Sequence, residues 1–96
     1  MASAGCPAPL ARRAVAALTD PAWQVRVGAA TALSVADPGT AVPVLAKALA
    51  DTNADVRKAA VLALTRHRAT DDARAALATA TTDTDADVRA YVTRAL

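Results

Sequence analysis

The sequence is poor in the residues from which catalytic sites, metal sites and disulfide frameworks are built. Its 96 residues include no phenylalanine, one tryptophan, one tyrosine, one cysteine, one histidine and three glycines. A single cysteine excludes an intramolecular disulfide and favours a reducing compartment. The scattered glycines exclude a glycine-rich phosphate-binding loop. The scarcity of aromatic residues and of turn glycines also argues against a β-sheet protein.

What the sequence does contain is alanine, valine and leucine, within a hydrophobic fraction of 54%. Because small side chains let helix backbones approach closely, we expect an all-helical fold. No apolar run reaches the length of a membrane span, so we expect a cytoplasmic protein without a membrane partner. Lys and Arg number 11 against 9 Asp and Glu, and the two signs alternate along the chain. This balance predicts no concentrated basic surface.

Three segments of the chain repeat each other in one register. Each begins with an aspartate and continues, five residues later, with a Val-Arg pair, at Val25, Val56 and Val88. Tandem units of about this length indicate an α-solenoid, because a single helix pair cannot bury its apolar face alone. We predict three antiparallel helix pairs in repeats 10–36, 40–67 and 72–96, preceded by a flexible N-terminal tail of residues 1–9.

Local signals place the helix ends within each repeat. The first helices are predicted at residues 10–19, 41–50 and 72–82, and the second helices run from the Val-Arg pairs to about residues 36, 67 and 96. Asn53 and Asp85 stand where N-caps are wanted, and Pro21 suits a first helical position. The dipeptide Pro38-Gly39 should break the chain between the first two repeats.

One stripe of the second helices is expected to pack against the first helices, because its members recur at every fourth residue. It consists of Val25, Ala29, Leu33, Val56, Ala60, Leu64, Val88, Val92 and Leu96.

The stretch from Asp51 to Leu64 reads Asp-Thr-Asn-Ala-Asp-Val-Arg-Lys-Ala-Ala-Val-Leu-Ala-Leu. It resembles HEAT repeats, in the short bacterial form also found in phycobilisome lyase-type proteins, and the resemblance covers about residues 10–96. The resemblance implies that the second helices line a concave face where partners bind. It also implies a polar ladder along the stack, formed by Asp20, Asp51, Asp83, Arg26, Arg57 and Arg89.

The chain departs from the repeat pattern in having no polar capping helix after Leu96. Solenoids normally need such a cap for solubility. Two alternatives remain open: the sequence is an excerpt of a longer array, or self-association with another copy covers this end.

No combination of residues predicts catalysis. His67 lies between two arginines at a helix end, and we expect a solvated residue there rather than a general base or a metal ligand. Cys6 lies in the tail beside Pro7, without a positioned base. Acidic pairs such as Asp71-Asp72 fall where helix caps explain them. We therefore expect a non-catalytic protein with no catalytic residue, no metal and no cofactor.

The outward face of the second helices is the candidate partner-binding surface. It combines apolar side chains with lysine and arginine at the rim, a composition that suits a protein or peptide partner. The predicted binding residues are Val27, Thr31, Lys58, Leu62, Thr65 and Arg94. An alternative for Val61 and Leu62, on the same face, is burial between neighbouring repeats.

These features leave three hypotheses for the function. The first is a scaffold that mediates protein–protein interaction through the face just described. The second is nucleic-acid binding, which has no aromatic stacking platform to support it. It would use the basic residues Lys58, Arg66, Arg68, Arg94, Arg12 and Arg13. The third, carried by the resemblance alone, is an accessory or lyase-like action on a partner protein.

Overall fold

A computed structural model describes residues 7–96, and every regular element within that range is helical. A 3-10 turn, Leu33–Val35, continues the second helix. The six α-helices are α1 (Ala8–Ala17), α2 (Trp23–Ala32), α3 (Pro38–Ala48), α4 (Ala54–Arg66), α5 (Asp71–Thr79) and α6 (Ala86–Ala95).

The helices form two layers. The first helices α1, α3 and α5 contact one another in series, and so do the second helices α2, α4 and α6. Each first helix also contacts the second helix that follows it. The thinnest extent of the Cα atoms is 16 Å, which fits two helix layers about 10 Å apart. The predicted all-helical α-solenoid is therefore confirmed.

The N-terminal ends of the second helices are fixed by side-chain caps in two of the three cases. Asn53 Oδ1 accepts the backbone N–H groups of Asp55 and Val56, and Asp85 Oδ1 does the same for Asp87 and Val88. Both predicted N-caps are confirmed.

The predicted helical position of Pro21 is wrong. Helix α2 is capped by Ala22 and begins at Trp23. The carboxylate of Asp20 accepts the N–H of Ala22 at 2.8 Å. This turn holds Pro21 outside the helix and moves the helix start two residues along the chain.

All three first helices begin earlier than the sequence predicts, α5 by a single residue, at Asp71. Pro38 opens α3 instead of breaking the chain, because a proline at the first helical position gives up no hydrogen bond. The carbonyl of Asp37 accepts the N–H groups of Thr40 and Ala41 and so closes the first turn. Helix α1 begins at Ala8, inside the segment predicted as a tail. Residues 1–6 of that segment, with Cys6, lie outside the described residues.

The predicted stripe on the second helices is buried in its middle and exposed at both ends of the stack. Val56, Ala60 and Leu64 are completely buried. Val25 is 43% exposed and Leu96 is 60% exposed, so the prediction that these two residues pack in the core is wrong. Val25 lies in the first turn of α2 and Leu96 is the C-cap of α6, so both stand at the margin of the described helices, where few side chains cover them.

Arginines and aspartates join successive repeats. Arg26 donates from Nε and Nη2 to the two carboxylate oxygens of Asp51, at 2.8 and 3.1 Å. Arg57 bonds Asp83 in the same way, at 2.9 and 3.3 Å. The Nη1 atom of each of these two arginines also donates to the backbone carbonyl six residues earlier. Arg89 Nη1 makes the same contact, with the carbonyl of Asp83. We call this set of contacts the Arg-Asp ladder.

The aspartates of the ladder also shape the loops in which they lie. The carboxylates of Asp20, Asp51 and Asp83 each accept the backbone N–H two residues further on, at 2.8 to 2.9 Å. Each aspartate thus stabilises its own turn, and Asp51 and Asp83 also bind the arginine of the preceding repeat.

His67 is buried, and the prediction that it is solvated is wrong. It is 7% exposed, and its Nε2 lies 2.9 Å from the carbonyl oxygen of Leu33. Since a carbonyl only accepts hydrogen bonds, Nε2 carries a proton and donates it. Leu33 opens the 3-10 turn after α2, so the histidine links the end of the first repeat to the end of α4.

The ladder predicts different costs for two chemically identical substitutions. Asp51→Ala removes the turn hydrogen bond and the pair with Arg26, so we expect a loss of about 2 kcal/mol in the free energy of unfolding. Asp20→Ala removes the turn hydrogen bond and a longer-range attraction to Arg26 but no bidentate pair, and it should cost about 1 kcal/mol or less. Urea denaturation followed by circular dichroism measures both. Equal losses would show that the inter-repeat pair contributes nothing to stability.

The same pair predicts acid sensitivity. Burial opposes the charge of Asp51, but hydrogen bonds from Arg26 and from the Asn53 N–H outweigh it and hold the carboxyl pKa below its ordinary value. The unfolded chain, with a pKa of about 3.9, takes up the proton first as the pH falls. The contribution to stability is therefore present above about pH 5, and it is lost as the pH drops through the unfolded and then the folded pKa.

Asp51→Asn should flatten this dependence, measured as the free energy of unfolding between about pH 5 and pH 2. Asp72→Asn is the matched control, since the carboxylate of Asp72 makes no ion pair within residues 7–96. An identical slope in wild type and Asp51→Asn would contradict the assignment.

The buried histidine predicts a structural role that depends on one donor. His67→Leu leaves the Leu33 carbonyl buried without this donor, and we expect a loss of about 1–3 kcal/mol in the free energy of unfolding. His67→Gln retains an N–H donor of similar reach and should recover part of that loss. The melting temperatures of the two variants test this, and equal values would show that the hydrogen bond is dispensable.

Candidate functional site

A groove runs along the second helices on the side away from the first helices. It consists of two adjoining depressions of about 460 and 380 Å³, which share Thr31, Ala59 and Leu62. We call it the second-helix groove. Its lining residues are Trp23, Val27, Thr31, Ser34, Asp55, Lys58, Ala59, Leu62, Ala63, Thr65, Arg66 and Tyr91.

The only two aromatic residues of the chain meet in this groove. Trp23 opens α2 and Tyr91 lies in the middle of α6, yet both line the same depression. Trp23 is 39% exposed although it is the largest side chain in the protein. An alanine-rich core leaves little room for an indole ring, which explains its outward position. Interfaces are enriched in tryptophan and tyrosine because both bury a large area at a small entropic cost.

Most of the predicted binding residues lie in the groove. Val27, Thr31, Lys58, Leu62 and Thr65 line it. Arg94 does not: its guanidinium lies 5.7 Å from the centre of the Tyr91 ring, at the margin of the groove.

Sequence reasoning left out Trp23 and Tyr91 as binding residues. Their rarity was the available signal, because a large aromatic side chain does not fit wholly inside an alanine-rich core.

For Val61 and Leu62 the sequence left burial and exposure open, and the structure buries the first residue and exposes the second. Val61 is completely buried and belongs to the core, so it is not part of the surface. Leu62 is 52% exposed and lies where the two depressions meet. One step along an α-helix turns the side chain by about 100°, which is enough to move from the contact between repeats to the open groove.

Lys58 is already held by two carboxylates. Its Nζ lies 3.1 Å from Asp55 Oδ1 in the same helix and 3.6 Å from Asp87 Oδ2 in the next repeat. The hydrogen bond to Asp55 raises the pKa of the lysine. The positive charge is therefore offset within the protein, and this end of the groove presents an apolar surface beside an ionic cluster in which two carboxylates face one ammonium.

The hydroxyl groups in the groove are also engaged. Thr31 Oγ1 donates to the Val27 carbonyl and Thr65 Oγ1 donates to the Val61 carbonyl, each within its own helix. The proton of each hydroxyl is thus used within its own helix, which leaves the hydroxyl oxygen as a hydrogen-bond acceptor. Among the described residues, Arg66 makes no ion pair, so its exposed guanidinium is the available donor at the other end of the groove.

Comparison with known protein families matches the description "HEAT repeats" over residues 11–96. The chain belongs to the HEAT repeat family. The match covers the whole series of helices from α1 to α6 except the first turn of α1. HEAT repeats are generally protein-interaction scaffolds. A search of curated proteins finds no match to this chain.

The HEAT repeats hold no cluster that suggests a metal site. Among residues 7–96, no three His, Cys, Asp or Glu side chains are grouped so that they could bind a metal ion. His67 uses its Nε2 on a backbone carbonyl and lies outside the groove. In the same part of the chain, no helix has the length and the apolar character that crossing a bilayer requires.

Proposed function

We propose that this HEAT-repeat protein is a non-catalytic cytoplasmic scaffold that binds a protein or peptide partner in the second-helix groove. The observation that carries the proposal is the convergence of Trp23, Tyr91 and Leu62 on one open surface. A tryptophan exposed to water on a small protein is costly unless a partner covers it, because its large apolar area favours burial.

The groove also suggests the chemistry of the partner. Trp23, Val27, Leu62 and Tyr91 offer an apolar contact area that suits aliphatic or aromatic side chains. At the other end, Arg66 can donate to a carboxylate or to backbone carbonyls. A partner segment that carries apolar side chains with an acidic residue beyond them would match the apolar end and the Arg66 end of the groove.

The charge pattern favours a protein partner over nucleic acid. Of the basic residues that a nucleic-acid site would use, Lys58 is balanced by two aspartates. Arg12, Arg13 and Arg68 do not line the second-helix groove. Without a stripe of uncompensated cations, the counterion release that drives nucleic-acid binding is small.

A charge placed in the apolar part of the groove should abolish partner binding. Leu62→Asp puts a carboxylate where the two depressions meet, and we expect the affinity to fall at least about tenfold, the usual effect of losing a central interface residue. The experiment compares tagged wild-type and variant proteins as baits in the source lysate, with nuclease and high-salt washes and mass spectrometry. Titration of the captured partner then gives its Kd.

Leu10→Asp is the matched control, because Leu10 is as exposed as Leu62 but lies on α1. It should retain the partner, and circular dichroism should show full helicity for both variants. The fluorescence of Trp23, the only tryptophan, measures binding directly, because its emission should move to shorter wavelength as the partner excludes water from the ring. If Leu62→Asp still captures the partner, the groove is not the binding site. Capture lost on nuclease treatment would replace the proposal with nucleic-acid binding.

A further inference from the structure

The second-helix groove has a direction. Trp23 and Asp55, from the first turns of α2 and α4, line one end of it. Ser34 and Arg66, from the far ends of the same repeats, line the other. The two helices are therefore parallel, and the groove lies along them. Its lining residues extend over 23–34 and 55–66, which corresponds to about 16 Å of helix, or about three turns.

The two ends of the groove differ in charge. At the N-terminal end of the helices, the carboxylates of Asp55 and Asp87 face the single ammonium of Lys58. The pKa of Lys58 is raised by the hydrogen bond to Asp55 and further by nearby carboxylate charges, that of Asp85 included. At the C-terminal end, Arg66 is exposed and has no carboxylate partner within residues 7–96. The groove is thus acidic at its N-terminal end and basic at its C-terminal end.

The groove offers little to the backbone of an extended peptide. The hydroxyl protons of Thr31 and Thr65 are donated to carbonyls within their own helices, at 3.0 and 2.7 Å. The backbone N–H and C=O groups in the middle of α2 and α4 are engaged in helical hydrogen bonds. An extended segment would therefore bury polar backbone groups without partners, which is unfavourable. A helix satisfies its own backbone, so a helical segment avoids this penalty.

The bottom of the groove suits the close approach of a helix. Ala59 and Ala63 line the groove although they are only 8% and 1% exposed, so they form its floor, one turn apart on α4. Leu62 projects beside them and is half exposed. Small residues let helix backbones come together, and a neighbouring leucine adds apolar contact area. Apolar side chains at every third or fourth position of a partner helix would pack on this floor.

Charges and helix dipoles select one orientation for such a helix. A helix carries partial positive charge at its N-terminus and partial negative charge at its C-terminus, so neighbouring helices are electrostatically favoured when they are antiparallel. The same dipole favours acidic side chains in the first turn of a helix and basic side chains in its last turn. An antiparallel partner would thus bring an acidic first turn to Arg66 and a basic last turn to Asp55 and Asp87.

We propose that the occupant of the second-helix groove is an amphipathic helix of about three turns that runs antiparallel to α2 and α4. An acidic residue in its first turn pairs with Arg66, and a basic residue in its last turn pairs with Asp55 and Asp87. This inference rests on the proposed function and deepens it, because it states the conformation, the charge pattern and the direction of the partner.

Two synthetic peptides without aromatic residues test the orientation. Both are capped, alanine-rich helices of about 14 residues with leucines at every third or fourth position. One has glutamates in its first turn and lysines in its last, and the other exchanges them. The emission of Trp23 gives each Kd. Because the exchange also changes the helicity of the free peptides, the ratio of the two Kd values is compared between wild type and Arg66→Glu, where that helicity cancels.

Wild type should prefer the glutamate-first peptide, and Arg66→Glu should shift the ratio of the Kd values at least about tenfold toward the lysine-first peptide. Arg68→Glu is the matched control and should keep the wild-type ratio, because Arg68 is exposed at the same end of α4 but does not line the groove. A proline on the polar face in the middle of the glutamate-first peptide should weaken binding at least about tenfold, since it breaks the helix.

Three results would overturn the proposal: no change of Trp23 emission with either peptide at about 1 mM, a ratio that Arg66→Glu leaves unchanged, or a proline peptide that binds as its parent does. The two proposals fail in different ways. If Leu62→Asp loses the captured partner but the peptides show no preferred orientation, only the antiparallel helix is refuted. If Leu62→Asp keeps the captured partner, the proposed function is refuted.

Discussion

The bidentate pair between an arginine and the aspartate of the next repeat is the contact on which the geometry of this stack depends. Most residues of the buried core are alanines, and alanine surfaces interdigitate shallowly. Helices packed on such surfaces approach closely but can slide past one another at little cost. Arg26 and Asp51, and then Arg57 and Asp83, remove that freedom because a planar guanidinium and a carboxylate fit in one orientation. The two parallel hydrogen bonds of such a pair fix the orientation of both groups, so the pair adds geometric specificity as well as energy.

That register decides what the groove contains. With α2, α4 and α6 held side by side, residues one position apart on α4 separate completely: Val61 enters the contact between repeats and Leu62 faces outward. Trp23 and Tyr91 are 68 residues apart in sequence but line the same depression; Trp23 is exposed, whereas Tyr91 also packs against the core. Lys58 adds a second link across the same helices, since its two carboxylate partners belong to successive repeats. The binding surface is thus a consequence of how the core is built.

Much of this architecture could be predicted from the sequence, because the repeated Asp, Val-Arg and Leu positions place the helices and the caps at Asn53 and Asp85. Periodicity shows which side of a helix turns inward, but not how completely each position on that side is covered, so Val25 and Leu96 were predicted to be buried and are exposed. The burial of His67 could not be foreseen either. Its partner is a backbone carbonyl 34 residues earlier, and no sequence pattern marks a carbonyl that needs a donor. For the groove, the sequence left burial and exposure open for both Val61 and Leu62, because a helical pattern alone does not show how neighbouring repeats cover adjacent positions; Val61 is buried and Leu62 is exposed.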